Sequence, residues 1–399
     1  MLSISKVEDL IFTKRRLMLC GYAFLAANVV AFAIRFFSGT WLIDKAGNLI
    51  FSDFLQWWLG SQVALGRNAA AVYNYSAFSA AQVQVTKSAA PVTYYSYVYP
   101  PTMLLLFAPI ARLPYVTAFF AWLVATLCLY AVALYAILPS SLSIVLALAP
   151  LPVAKSVFGG DATFLTAGLL GLSLVFISSR PYLSGVCLGI LTYKPQFVLF
   201  FPLALVITGQ WRVIVGASTS ASLFAGAAAL VFGSNAWLLF LRSMQGHDPV
   251  TFLPPNIEAL NQTVLGLMHH AGAGLAAAWV VHLAVALLIT ALACRIWLQP
   301  VPHSLKAAAF SIGVLTVTPY MLAYDLTAVT VPAAFLVADA VARGFLPGER
   351  FILLSCFLAL YLCFNFVVGP IVLLALMGLV VRRVRYATKT GAAVDSMPQ

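Results

Sequence analysis

Long runs of leucine, alanine, valine and phenylalanine recur along this chain, separated by short polar breaks and without the two-residue alternation of a half-buried strand. Many approach the roughly 20 residues that an α-helix needs to cross bilayer hydrocarbon. They predict spans near 17–37, 117–137, 141–158, 162–179, 181–193, 195–209, 211–233, 274–297, 305–322, 326–342, 350–367 and 369–382. Inside hydrocarbon every backbone amide needs an internal partner, which helices supply within one segment. The predicted fold class is all-α: a polytopic membrane protein with about 12 transmembrane helices, forming a single integral-membrane domain over 1–399.

Positive charge orients these spans. With the amino terminus inside, the turns carrying Arg180, Arg212, Arg295 with Lys306, Arg343 with Arg350, and Arg382-Arg383-Val384-Arg385 all fall on the cytoplasmic side, as do both termini. Segments 181–193 and 195–209 are short and meet at Lys194-Pro195, so two half-helices or one kinked helix are both open, and the charge bias favours two. Lys14-Arg15-Arg16 precedes a run long enough to span, which reads as an uncleaved first helix rather than a signal peptide. Composition agrees: 63% of residues are hydrophobic and 8% charged, with a mean hydropathy of +0.99, leaving no sizeable soluble domain. The net charge of +11 is spread over these turns rather than gathered into a patch with interleaved aromatics, so lipid and not nucleic acid is the expected surrounding. All six cysteines lie in apolar segments without CxxC spacing, which indicates neither a disulfide framework nor a zinc site.

This topology places Asp44, Asp53, Asp161, Asp248, Glu258 and Asp325 on the outer side. Two outer loops carry most of the polar content. The first, 38–100, holds Asp53 at the start of an amphipathic stretch running to Trp57 and Trp58, then Gly66-Arg67, Tyr73 and a tyrosine-rich end at Tyr99-Pro100-Pro101. Its tryptophans and tyrosines suit the headgroup level, so the loop is expected to lie on the membrane. The run 100–114 is too short and proline-rich to cross, and is expected to dip into or rest on the outer surface. The second loop, 235–262, carries His247-Asp248 and ends at Asn261-Gln262-Thr263. Lys155 is the one charge found well inside an apolar run, and no internal repeat is evident.

Taken in order, Asp53, Gly66-Arg67, Tyr73, Tyr99-Pro100-Pro101, Gly160-Asp161 and Leu191-Thr192-Tyr193-Lys194-Pro195-Gln196 resemble the family 87 glycosyltransferases, polyprenyl-phosphate-sugar-dependent enzymes of the GT-C superfamily. The resemblance runs from the first span to about Asp325. It implies a GT-C fold with interfacial helices in the outer loops: a module over 17–233 including loop 38–100, then loop 235–262 and a variable helical part within 234–399. It further implies transfer of a sugar, mannose or a related one, from a polyprenyl-phosphate donor to a glycolipid or glycan acceptor, at a site on the periplasmic side of a bacterial inner membrane. Asp53 takes the family's role of catalytic base. Gly160-Asp161 departs from the Gly-Gln common in the family, which bears on the sugar or acceptor group held there.

Inverting transfer needs one carboxylate to take the acceptor's proton and positive charge to receive the phosphate leaving group. Lys194 and Arg67 are the candidates for that phosphate, and Asp161, Tyr99, Gln196, Tyr324, Asp325, His247 and Trp57 for sugar and acceptor. A monophosphate ester has no pyrophosphate to bridge, so neither a metal nor another cofactor is expected. Each residue also has a structural reading. Asp53 with Gln56 fits a capping box, Asp161 an N-cap, Lys194 a snorkelling lysine, Arg67 a helix-end cation, and Tyr324-Asp325 a helix start. A transporter or flippase for a lipid-linked or small polar solute is the alternative function, and would place charges at mid-span and show repeated halves.

Overall fold

The computed structural model describes residues 4–66, 68–87, 97–245 and 261–389. A short helix, α1 (Ile4–Ile11), leads into α2 (Lys14–Phe37), whose first turn is capped by the Thr13 hydroxyl accepting from the Arg16 amide. A two-residue antiparallel pairing of β1 (Thr40–Trp41) with β2 (Ile43–Asp44) follows. The first loop then folds as α3 (Asp53–Leu65), α4 (Ala69–Val72), α5 (Tyr75–Thr86) and α6 (Pro101–Phe107). Beyond it come α7 (Tyr115–Ile137), α8 (Ser141–Leu148), α9 (Leu151–Gly159), α10 (Thr163–Phe176), α11 (Pro181–Leu191), α12 (Phe200–Ile207) and α13 (Trp211–Phe232). The remainder is α14 (Ser234–Ser243), α15 (Val264–His270), α16 (Leu275–Leu298), α17 (His303–Val317), α18 (Thr330–Arg343), α19 (Glu349–Ala359) and α20 (Gly369–Lys389).

Among the described residues five helical stretches are long and apolar enough to cross a membrane: Lys14–Phe37, Tyr115–Ile137, Trp211–Phe232, Leu275–Leu298 and Ala323–Arg343. Their outward faces carry large bare hydrophobics such as Val29, Val124, Leu230 and Leu288, which water would penalise and lipid solvates. Of the other predicted spans, 369–382 lies within the 21-residue α20, whose second half is charged, and the rest are shorter or broken helices. Segment 141–158 divides at Pro150 into α8 and α9, because a proline cannot donate to the preceding turn. Lys194-Pro195 is likewise a break, where a 3-10 turn at Pro195–Phe197 separates α11 from α12.

The core centres on α10, buried on every side from Thr163 to Leu174, against α7, α11, α17 and α18. Close approach of α11 and α13 depends on glycine. A Cβ at Gly185 would lie 2.5 Å from the Val213 carbonyl oxygen, and one at Gly216 2.7 Å from that of Tyr182, so the two backbones touch where side chains are missing.

The first loop turns several of its rings into the protein. Trp57, Trp58 and Tyr97 are buried in protein, and α6 is enclosed rather than laid on a surface, with Thr102, Met103, Leu104 and Phe107 buried. Packing the rings against one another removes more apolar area from water than a headgroup layer does; Phe107 and Trp122, for example, lie 4.4 Å apart.

Charged groups sort to two ends of the bundle. At one end Arg383 donates to Glu349 at 2.5 Å and to Asp339 at 2.7 Å, all three buried, and Arg343 reaches Asp339 at 3.1 Å. Glu8 on α1 accepts the backbone amides of Gly348 and Arg350, which fastens the amino-terminal segment to the start of α19. Replacing Arg383 with methionine strands the buried Glu349 carboxylate and leaves Asp339 paired with Arg343, so a loss of roughly 3–5 kcal/mol is expected. Thermal unfolding of the detergent-solubilised protein measures it, and an unshifted midpoint would show that the cluster is not a stabilising element.

Candidate active site

At the other end, three turns and the start of α3 bring together side chains far apart in sequence. Ser52 is the N-cap of α3, its hydroxyl accepting from the Leu55 amide at 3.2 Å. Asp53, the first residue of the helix, is thereby relieved of the capping role that its spacing to Gln56 suggests, and Gln56 is itself buried. Phe54 beneath it is clamped by the rings of Phe107, Tyr115 and Phe119 at 5.1–5.6 Å between centroids. The Tyr324 hydroxyl faces the Asp53 carboxylate and favours its charged form.

Gly159-Gly160-Asp161 turns the chain from α9 into α10. Gly160 has φ +64°, and a Cβ there would lie 2.4 Å from the Phe119 ring and 2.9 Å from Phe54, so this tight left-handed turn admits no side chain. Its carbonyl accepts from the Trp122 indole at 3.1 Å. Asp161 stands just before Ala162, the N-cap of α10, rather than capping the helix itself: Oδ1 accepts from the Thr163 amide at 2.9 Å, while Oδ2 is buried without a hydrogen-bond partner among the described residues. A Cβ on Gly159 would be 3.9 Å from Oδ2 of Asp161 and 3.9 Å from Oδ2 of Asp53, so both carboxylates converge over this glycine.

The third turn supplies the cation. Lys194, at the break after α11, places Nζ 2.5 Å from Oδ1 of Asp325, and both side chains are at most 3% exposed. Asp325 also accepts from the Thr163 hydroxyl at 3.3 Å and from the Leu322 amide at 3.1 Å, so it caps its own 3-10 turn while pairing with lysine. Tyr193 holds the turn down, its hydroxyl donating to the Ala162 carbonyl at 3.0 Å and lying 2.6 Å from that of Thr166. The Lys194 ammonium lies 5.8 Å from the centroid of the Tyr324 ring.

Tyr99 completes the rim, its ring edge-on to Trp57 at 5.4 Å and its carbonyl accepting from the Tyr73 hydroxyl. Of the residues singled out from sequence, Asp53, Asp161, Lys194, Tyr324, Asp325 and Tyr99 gather here. Trp57 lies beneath as a buried floor, and Gln196 is half-buried in the 3-10 turn after Lys194. Arg67 and His247 lie outside the described residues. Gly159, Thr163 and Tyr193 as positioning groups had no signal in the chain beyond their neighbourhood, because their partners come from other helices. Among the described residues no three His, Cys, Asp or Glu side chains are grouped to hold a metal ion.

Burial, and next the negative charge of Asp161, push the Asp53 carboxyl up to about 7, with Lys194 and the Tyr324 hydroxyl opposing. Asp161 rises to about 6, again chiefly by burial. A carboxyl held near neutrality can take a proton from a hydroxyl and release it again. Replacing Lys194 with methionine leaves Asp325 buried and unpaired, an expected cost of roughly 3–5 kcal/mol that a second change, Asp325→Asn, partly restores. Thermal unfolding of the single and double variants checks the coupling, and simple additivity of the two effects would disprove it.

A profile of glycosyltransferase family 87 matches residues 97–324, from the tyrosine rim through the Asp161 and Lys194 turns to Tyr324. Comparison with curated proteins and with solved structures gives no match. The matched stretch covers more than half of the chain and carries most of the residues that build the site, so this membrane protein belongs to glycosyltransferase family 87.

Proposed function

We propose that the chain is an inverting glycosyltransferase that moves a sugar, mannose in the simplest reading, from a polyprenyl-phosphate donor to a hydroxyl of a glycolipid or glycan, with Asp53 as general base. The carrying observation is the convergence of Asp53 and the partner-free oxygen of Asp161 over Gly159, beside a buried lysine. In the proposed step the acceptor oxygen bonds to the anomeric carbon as its proton passes to the Asp53 carboxylate. The bond from that carbon to phosphate oxygen breaks, and its electron pair leaves with the polyprenyl phosphate.

Geometry supports this division of labour. Asp53 opens α3 on the ring cluster under Phe54, which favours one placement of its carboxylate. Asp161 offers an acceptor oxygen to a sugar or acceptor hydroxyl, a demand met elsewhere in the family by an amide. Lys194 carries the charge that favours phosphate, although Asp325 already engages it. An extracytoplasmic site is favoured because the arginine-rich turns near Arg343, Arg350 and Arg383 lie at the other end of the bundle, where positive charge marks the cytoplasmic side.

Asp53→Asn keeps size and hydrogen bonding but cannot accept the proton, so transfer is expected to fall by roughly 10²–10⁴-fold with the protein still folded and binding donor. Undiminished transfer of radiolabelled sugar would remove Asp53 from this role. The native rate should decline as pH drops through about 7, because the raised carboxyl is then protonated and cannot act as base. An activity profile flat from pH 8 to about 5 would contradict that assignment.

A further inference from the structure

The site sets three carboxylates against one cation. Asp53, Asp161 and Asp325 face Lys194, which is already tied to Asp325 at 2.5 Å. The proposed transfer also raises the charge of the leaving lipid, since a phosphodiester donor carries one negative charge and the released monoester approaches two. A cation free of carboxylate partners is therefore needed near Gly159, and the α9 face supplies one. Lys155 lies one helical turn before Gly159, about 6 Å along the helix axis. It is exposed, with no carboxylate within 4 Å among the described residues, and its ammonium lies 5.3 Å from the centroid of the Phe364 ring.

Phe158, three residues on from Lys155 and beside it on the same helix face, has the guanidinium of Arg35 over its ring at 5.0 Å. Arg35 is in the last turn of α2, also exposed and also without a carboxylate partner among the described residues. The face is framed by protein on both sides: the Trp41 ring stacks on Phe158 at 5.9 Å, and Phe364 borders Lys155. Between them α9 exposes Lys155 and leads to Gly159, whose missing side chain leaves open the space in front of both carboxylates. Two exposed cations beside the Lys155–Phe158 turn of α9, without carboxylate partners among the described residues, are costly at a membrane face unless an anion visits them.

We infer that Lys155 and Arg35 form a lateral entry rim that binds the phosphate of the polyisoprenoid donor and retains the phosphate of the released lipid, with the chain left in the bilayer. This rests on the reading of the site as a polyprenyl-phosphate-dependent transferase and adds the residues that select the lipid-borne phosphate. The apolar tail needs only the exposed apolar surface of α2, with Val29, Val30 and Ile34, while the two cations choose a phosphate head over a neutral one.

The test is direct binding of a polyprenyl monophosphate to the full-length protein in neutral-lipid nanodiscs. The Asp53→Asn background removes turnover, so the result does not depend on whether transfer occurs. Lys155→Gln with Arg35→Gln is expected to weaken that binding by about tenfold or more, Lys155→Arg with native Arg35 to retain most of it, and affinity for the neutral polyprenol to stay the same. In otherwise native protein the double change should raise the donor KM more than the acceptor KM. Unchanged affinity for the monophosphate overturns the inference, as does an equal loss for the neutral alcohol, which would indicate damaged packing. Equal competition by phosphatidylglycerol overturns it too, because the rim would then be a general anionic-lipid contact. A native chain that binds the monophosphate through these cations but transfers no sugar would sink the transferase reading and leave the rim standing.

Discussion

One buried ion pair joins the two halves of the site. Lys194 and Asp325 are 131 residues apart in the chain, and their contact fixes the break after α11 against the 3-10 turn that begins the Ala323–Arg343 stretch. Removing two charges from water is costly, and the pair is tolerated because every neighbouring group contributes: the Thr163 hydroxyl and the Leu322 amide both donate to the carboxylate. Thr163 starts α10, and its amide donates to the Asp161 carboxylate. Lysine, aspartate, threonine and the second aspartate are thus links in one chain of contacts, and Tyr324, next to Asp325, extends it to Asp53.

Negative charge at this end is therefore balanced only in part. Asp325 is neutralised by lysine, while Asp53 and Asp161 converge over a glycine with one oxygen of Asp161 left without a partner. A structural cluster would be expected to satisfy that oxygen; a site that receives hydroxyls has reason to keep it open. The far end of the bundle shows the contrast. Arg383 there saturates Asp339 and Glu349 with charge-assisted hydrogen bonds, and Glu8 satisfies the amides of Gly348 and Arg350. Both ends contain buried charge, but among the described residues only Asp161 has a buried carboxylate oxygen without a hydrogen-bond partner.

Aromatic packing does for the loop what hydrogen bonds do for the turns. Trp57, Phe54, Phe107, Phe119 and Trp122 form a continuous ring cluster that carries α3 and supports the Gly160 turn, so Asp53 sits on a rigid base rather than on a surface loop. Such a base suits chemistry in which a small displacement of the carboxylate costs rate. It also explains why the tyrosine- and tryptophan-rich segment turns inward: rings packed on rings hold the helix in place, whereas rings spread among headgroups would not.

Hydrophobic periodicity and length by themselves determined the helical, membrane-embedded class, because runs of some 20 apolar residues have few other stable fates. Proline marked the breaks at Pro150 and Pro195 for a local reason, the missing amide donor. Asp53, Asp161, Lys194 and Asp325 were legible as rare charges in an apolar chain, and their motif order pointed to the family. Tertiary structure alone decided that Lys194 pairs with Asp325, that Ser52 and not Asp53 caps α3, that Asp161 spends one oxygen and spares the other, and that Trp57 lies in the floor. Those outcomes depend on which side chains meet across helices distant in sequence, a matter of packing in three dimensions that no local spacing encodes.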